Sequence, residues 1–276
     1  MVTKLARAPA LRCWLPLDEK RSLLKLDAGS TPGFTGEEST AREQTEVLRT
    51  ELVALQMRLY AESRQRLLVV LQAMDTGGKD GCVKHVFSRV DPQGVNVKAF
   101  KKPSEEEAAH DFLWRIHHHV PGNGQIVIFN RSHYEDILAV RVKKLFPDEV
   151  WQRRYRHIIE FERMLAEEGT TIVKIFLHIS KDEQKRRLES RLANPAKHWK
   201  LNPDDLSDRA RWEEFQAGYE DLITRTSTAQ SPWFIVPADR KWYRNLVVAR
   251  IMVDTLRGLK MDFPKPDWDP TAVVIE

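Results

Sequence analysis

From Ser39 to about Ala61, apolar side chains recur at Val47, Leu48, Leu52, Leu55 and Leu59. That spacing is one face of an α-helix and predicts a helix laid against a sheet. A short apolar run, Leu67 to Leu71, follows and meets a glycine pair, with a new helix expected to begin near Lys79. Four more runs read as strands: Val95 to Phe100, Gln125 to Phe129, Ile172 to Ile179 and Trp233 to Val236. The turn signal Pro121-Gly122-Asn123-Gly124 precedes the third strand. Segments 135–145, 150–168, 181–193, 204–227 and 239–258 read as helices, and SEEEAAHDFLWRIHHH as one further helix with an acidic start. Strands alternating with helices predict an α/β fold, with three α/β/α layers around a mostly parallel five-stranded sheet and right-handed crossovers. Residues 1–40 lack this periodicity and carry Pro9, Pro16 and Pro32. They are expected to form an arm ahead of a single domain at 41–270.

A chain of 276 residues can bury a sizeable core. The net charge of +4 is too small for a chain that coats nucleic acid, so no nucleic-acid partner is expected. Clustered lysines and arginines can still gather a polyanion locally. No run approaches the roughly 20 apolar residues of a membrane helix. Pro, Arg and Trp also interrupt the N-terminal segment where a signal peptide needs an unbroken apolar stretch. The two cysteines, Cys13 and Cys82, make neither a disulfide framework nor a paired metal motif. The expected compartment is the cytoplasm, without a membrane partner.

Against the phosphate-loop pattern G-x-x-x-x-G-K-[ST], residues 73–80 read Ala-Met-Asp-Thr-Gly-Gly-Lys-Asp. Gly78 and Lys79 fit, whereas Ala73 and Asp80 do not. Phosphate binding needs backbone N–H groups aimed inward, a helix N-terminus and a lysine, which Gly77, Gly78 and Lys79 supply. The usual hydroxyl ligand for magnesium is missing. Two carboxylates, Asp75 and Asp80, stand in or beside the loop instead. A carboxylate near a phosphate makes sense with a divalent cation between them, so Asp75 is assigned to magnesium, directly or through water. GGKDG is also an ordinary turn before a helix, but the apolar strand ahead of it favours the phosphate loop.

The strand QIVIFN runs into RSHYED, at the place where a second acidic group meets the metal in phosphate-loop enzymes. Asn130 holds that place, with Glu135 and Asp136 shortly after it. Arg131 would bond phosphate oxygens with its planar fork, and Ser132 and Tyr134 would add hydroxyl donors. Ser132 and the two acids could equally cap the next helix.

Together LQAMDTGGKDG, FKKPSEEEAAHDFLWRIH, FNRSHYEDIL, RLANPAKHWKLNPDDLSDRARW and PADRKWYRN resemble the polyphosphate kinase 2 family, in order and over roughly residues 35 to 270. The resemblance implies a P-loop kinase-like core under a helical lid, here about 181–212, with a cationic polyphosphate channel. It implies transfer of phosphate between inorganic polyphosphate and nucleoside mono- or diphosphates, with magnesium or manganese, in a homodimer or homotetramer. By motif position Asp75 and Lys79 match the family's loop aspartate and lysine, Arg131 the arginine of the second motif, and Arg187 and Arg191 fall on the lid helix. The branch that favours nucleoside diphosphates carries Asp-Arg-Ser where this chain has Asn130-Arg131-Ser132. The chain is thus most similar to the class III branch, which takes both AMP and ADP. A neutral amide is a poor metal ligand, which leaves Glu135 or Asp136 to complete the metal set.

Arg187 and Arg191 lie four apart, on one helical face, and Asn194-Pro195 ends that helix. Lysines of the same segment read mainly as solvated surface, and Lys84, Lys101 and Lys102 as weaker channel candidates. Three consecutive histidines, 117–119, point in divergent directions along a helix and cannot converge on one ion. Cys82 reads as a packed thiol, and the tryptophans at 114, 151, 199, 212, 233 and 242 mainly as core anchors. An ATP-dependent kinase of the same fold and a non-catalytic polyphosphate binder are the competing readings.

Overall fold

A computed structural model describes residues 22–275, so residues 1–21 of the expected arm, with Cys13, lie outside the described residues. The part of the arm that is described is tied to the rest. The backbone N–H of Leu23 donates to Glu220, Tyr243 donates to the carbonyl of Pro32 at 2.6 Å, and Arg240 to that of Gly29 at 2.8 Å.

Five strands are present, β1 (Arg66–Ala73), β2 (Val95–Ala99), β3 (Ile126–Asn130), β4 (Thr170–His178) and β5 (Trp233–Pro237). They form one sheet in the order β2-β3-β1-β4-β5, and every pairing is parallel. The apolar runs explain this arrangement, because a strand covered on both faces needs no polar alternation. Leu67 through Leu71 are all fully buried. From central β1 the chain goes out to β2 and β3 on one side and to β4 and β5 on the other. That makes the carboxyl end of β1 the switch point where α/β folds bind ligands. Register places Leu71 beside Asn130 and Ala73 beside Leu177, so the loops after β1, β3 and β4 open on one edge.

On one face α1 (Glu38–Glu62) packs on α10 (Lys241–Gly258), which also meets α2 (Lys79–Val86). On the other face α5 (Glu135–Lys143), α6 (Asp148–Glu167) and α9 (Trp212–Thr226) pack together. The helix after β4, α7, spans Lys181–Leu192.

Two predicted helices are each broken in two. The acidic-start helix becomes α3 (Glu105–Ala109) and α4 (Trp114–His117). Ser104 and Glu107 cap α3 reciprocally, but the Asp111 carboxylate accepts from the N–H groups of Leu113 and Trp114 and starts a new helix. The segment 204–227 divides at Arg211 into α8 (Pro203–Ala210) and α9. Of the tryptophans, 151, 212 and 233 are buried, whereas Trp199 is 78% exposed and anchors no core.

Candidate active site

The chain leaves β1 at Ala73 and enters α2 at Lys79, and the loop between them requires its glycines. Gly78 sits at φ +98°, and a Cβ there would lie 2.3 Å from Nη1 of Arg244 and 3.2 Å from Nη1 of Arg187. A Cβ on Gly77 would come within 2.5 Å of the Ala73 side chain. Three side chains hold the loop's carbonyls from outside. Gln184 donates to Asp75 O at 3.0 Å, Arg187 to Thr76 O at 3.0 Å, and Arg244 to Gly78 O at 3.2 Å. Turned that way, the loop leaves the first N–H groups of α2 without helix partners, since the first helical bond runs from Cys82 N to Gly78 O. Unpartnered amides at a helix N-terminus make an anion site. Lys79 is 8% exposed and donates to Ala73 O at 2.9 Å. Burial and neighbouring Arg131 lower its pKa, against the pull of Asp75, Glu135 and Asp80.

The second loop is cross-tied to the first. Arg131, at φ +63°, donates to Asp75 Oδ1 at 2.6 Å, and Asn130 Nδ2 donates to Asp80 Oδ1 at 2.7 Å. Burial opposes the charge on Arg131, but Glu135 and Asp75 outweigh it and its pKa is raised. Glu135 goes the other way. Burial raises its pKa despite Arg131 and Lys79, with Asp75 and Asp136 adding to the rise. Asp75, Arg131, Glu135, Lys143 and Tyr219 line one small cleft.

Three predicted site residues face elsewhere. Ser132 is fully buried, where its hydroxyl accepts from Gln72 and from the N–H of Tyr134. Tyr134 is also fully buried, donating to Glu162 at 2.7 Å and accepting from Lys174 at 3.1 Å. Neither hydroxyl is offered to a phosphate. The positive φ at Arg131 reverses the chain just after β3 and drives the next residues into the core. Asp136 is held by Arg115 at 3.1 Å, with Arg154 at 3.9 Å, so its carboxylate is already committed. The expected set of Asp75, Glu135 and Asp136 does not assemble, and among the described residues no three His, Cys, Asp or Glu side chains converge on a metal position. Asp75 and Glu135 remain. Two carboxylates on one cleft beside a phosphate loop suit a magnesium that keeps several waters and takes its other ligands from phosphates.

Arg187 is not a free lid arginine, being buried and bonded to Glu183, Thr76 O and Ala238 O. Arg191 does belong to the covering segment, donating to Lys200 O at 3.2 Å with Asp205 at 3.9 Å. Lys200 reaches Asp80 at 3.5 Å, which brings that segment to the loop. Lys84, Lys101 and Lys102 are exposed and make no bond to either loop. The helix expected to run through His119 ends at His117, and the three imidazoles are spread over a helix end and a turn. Cys82 is buried, and burial pushes its thiol up, against the nearby charge of Arg244. Sequence reasoning missed Tyr219, whose hydroxyl donates to Ala73 O at 2.9 Å. It also missed Arg244, although PADRKWYRN contains it.

Known proteins share this sequence and this fold. The family model for polyphosphate kinase 2 matches residues 36–264. The chain belongs to the polyphosphate kinase 2 family. A polyphosphate kinase 2 crystal structure from Arthrobacter aurescens TC1 superposes with a TM-score of 0.90 at 46% identity, over 94% of this chain and 93% of that one. An AMP/ADP-polyphosphate phosphotransferase from Meiothermus ruber is 54% identical, covering 94% of this chain and 97% of the relative. An ADP-polyphosphate phosphotransferase from Rhodopseudomonas palustris is 41% identical over 87% and 89%. Within this polyphosphate kinase 2 chain, the quoted segments supply the phosphate loop, the second loop with Arg131, and Arg191, Lys200 and Arg244 around them.

Proposed function

We propose that this chain moves the terminal phosphate of inorganic polyphosphate to AMP and to ADP, reversibly. The observation that carries the reading is the single cleft in which a lysine-bearing phosphate loop is cross-tied through Asp75 to Arg131, with Glu135 beside them. A nucleotide phosphate oxygen is already anionic, so attack on phosphorus needs no proton acceptor. The new P–O bond forms from that oxygen as the P–O bond to the polyphosphate chain breaks, and the leaving chain keeps the electron pair. What the protein must supply is alignment and positive charge. Lys79, Arg131 and Arg191 supply charge directly, while Arg187 shapes the loop. Asp75 and Glu135 would hold magnesium, whose charge offsets that of the phosphates. The breadth of acceptor rests on Asn130 and on the similarity to the AMP/ADP-polyphosphate phosphotransferase from Meiothermus ruber. A cytoplasmic location and a dimer or tetramer belong to the same reading. Among the described residues no helix is long and apolar enough to cross a membrane.

The test is to incubate the protein with magnesium, polyphosphate and AMP and to separate the nucleotides. ADP followed by ATP supports the proposal. ATP from ADP, with nothing from AMP, keeps the donor and overturns the acceptor breadth. No product from either overturns the proposal.

A further inference from the structure

Arg244 lies in the first turn of α10 and is 3% exposed. Its Nε and Nη2 clasp the side-chain oxygen of Asn245, at 3.1 and 2.7 Å, and its Nη1 donates to Gly78 O. Every one of these acceptors is neutral. Among the described residues no carboxylate pairs with it, and the one titratable acid beside it, Cys82, is kept as a thiol by burial. The nearest charges are of its own sign. Arg187 stands against the same glycine, and the pKa of Lys241 is lowered by burial and then by Arg187 and Arg244, against the pull of Glu183. Glu183 is shared between Arg187 and Arg186 and leaves nothing for Arg244.

A guanidinium taken out of water without a counter-charge is costly, and proteins rarely keep one unless an anion completes it. The anion site nearest to Arg244 is the phosphate loop itself. The carbonyl that Arg244 holds belongs to the peptide whose N–H is that of Lys79. Because C=O and N–H of a planar trans peptide point in opposite directions, anchoring the oxygen outward turns the N–H inward.

We infer that Arg244 is a positioning residue for the phosphate donor: a buried cation behind the loop whose missing counter-charge is the bound polyphosphate. The inference rests on the proposed donor. It makes the loop a site that is electrostatically incomplete until a polyanion enters, and it gives Arg244 a role through the Gly78 carbonyl and through its field, without contact with the phosphate. Arg187 and Arg244 share this arrangement unequally, since Arg187 has Glu183 and, among the described residues, Arg244 has no acid.

The experiment compares the full-length protein with R244M and R244K, using inorganic tripolyphosphate without nucleotide as the probe and melting temperature as the readout. Tripolyphosphate raises the melting temperature of the wild type. R244M melts no lower than wild type without the anion, since removing a buried charge that lacks a partner offsets the lost bonds to Gly78 O and Asn245, yet its tripolyphosphate-induced rise is lost. R244K recovers part of that rise. In turnover, R244M raises KM for polyphosphate at least ~10-fold, as loss of one side of a buried charge interaction does, while KM for AMP moves less than about twofold. An R244M protein that melts lower or fails to fold, or that keeps the full tripolyphosphate response, overturns the inference and leaves Arg244 a brace of the fold. A wild type that gives no response to tripolyphosphate overturns it as well. The proposed activity stands or falls separately, on nucleotide products, because the melting comparison needs no turnover.

Discussion

Lys79 and Tyr219 donate to one acceptor, the carbonyl oxygen of Ala73, each at 2.9 Å. When the Lys79 ammonium turns toward a phosphate its hold on that oxygen weakens, and Tyr219 then keeps a buried acceptor satisfied. Stranding such a group costs about 1–3 kcal/mol. Tyr219→Phe is therefore expected to lower kcat roughly 10-fold with little change in KM for either substrate. Lys79→Ala should lower turnover at least ~100-fold. Steady-state kinetics on both variants decides, and a Tyr219→Phe enzyme with wild-type kcat would remove the role given to the shared carbonyl.

Asp75→Asn keeps the shape of the loop but weakens its tie to Arg131 and removes the proposed magnesium donor. Turnover is expected to fall at least ~100-fold, and the magnesium concentration needed for half-maximal rate to rise. A magnesium titration that superposes on the wild type after scaling would show that Asp75 does not serve the metal.

Burial penalises the charged form of Glu135. Glu135→Gln therefore relieves a cost in the metal-free protein, and this variant should melt at or above the wild-type temperature while losing most of its activity. A variant that melts several degrees lower would mean that the carboxylate is needed for the fold rather than for the reaction.

Beneath the second loop, Glu162 accepts from Lys174 at 2.7 Å, from Tyr134 and from Ser231, and lies 3.3 Å from His133 Nε2. Burial opposes its charge, but Lys174 and His133 overcome this and bring its pKa from 4.5 down to about 2. Lys174 fares differently. Burial lowers its pKa although Glu162 pulls upward, so the favourable side of the pair is carried by the many donors on Glu162. A depressed carboxyl pKa gives stability that is full above pH 4.5 and is lost as pH falls toward 2. Glu162→Gln should destabilise by about 3–5 kcal/mol at neutral pH, as removal of one partner from a buried pair does. Its stability should also be flatter on the acid side. Denaturant unfolding at several pH values measures both.

Asn130→Asp would replace the amide that donates to Asp80 at 2.7 Å with a second carboxylate. The repulsion can be relieved by a cation or by protonation, so the variant should need more magnesium. It should also favour ADP over AMP about 10-fold more than the wild type, as expected if the neutral amide underlies the acceptor breadth. An unchanged AMP-to-ADP rate ratio would mean that acceptor choice lies elsewhere in the cleft.

The strands were legible because a strand covered on both faces is written as an unbroken apolar run, and Leu67 to Leu71 is one. The glycine loop was legible because only small residues tolerate the close approach at Gly77 and Gly78. Two helices were misread where one polar side chain redirected the backbone, as Asp111 does between α3 and α4. Ser132 and Tyr134 were placed at the site because the reversal that buries them depends on a positive φ at an arginine, which nothing in the residue type announces. Arg187 and Arg191 do share a helix, but the first ends beneath the loop and the second in the segment above it. Arg244 had left a trace, an Arg-Asn pair just ahead of the apolar run LVVARIMV. Reading it needed the knowledge that no acid among the described residues pairs with it.

The braces of the phosphate loop also set an order in time. Gln184, Arg187 and Arg244 follow the carbonyls they hold by 109, 111 and 166 residues along the chain. A ribosome releases the loop long before it releases α10, so the growing chain carries the motif without the supports that aim its amides. The last of the three braces comes into being with α10, and a polypeptide cut short of it keeps Gln184 and Arg187 but has nothing to hold the Gly78 carbonyl from behind.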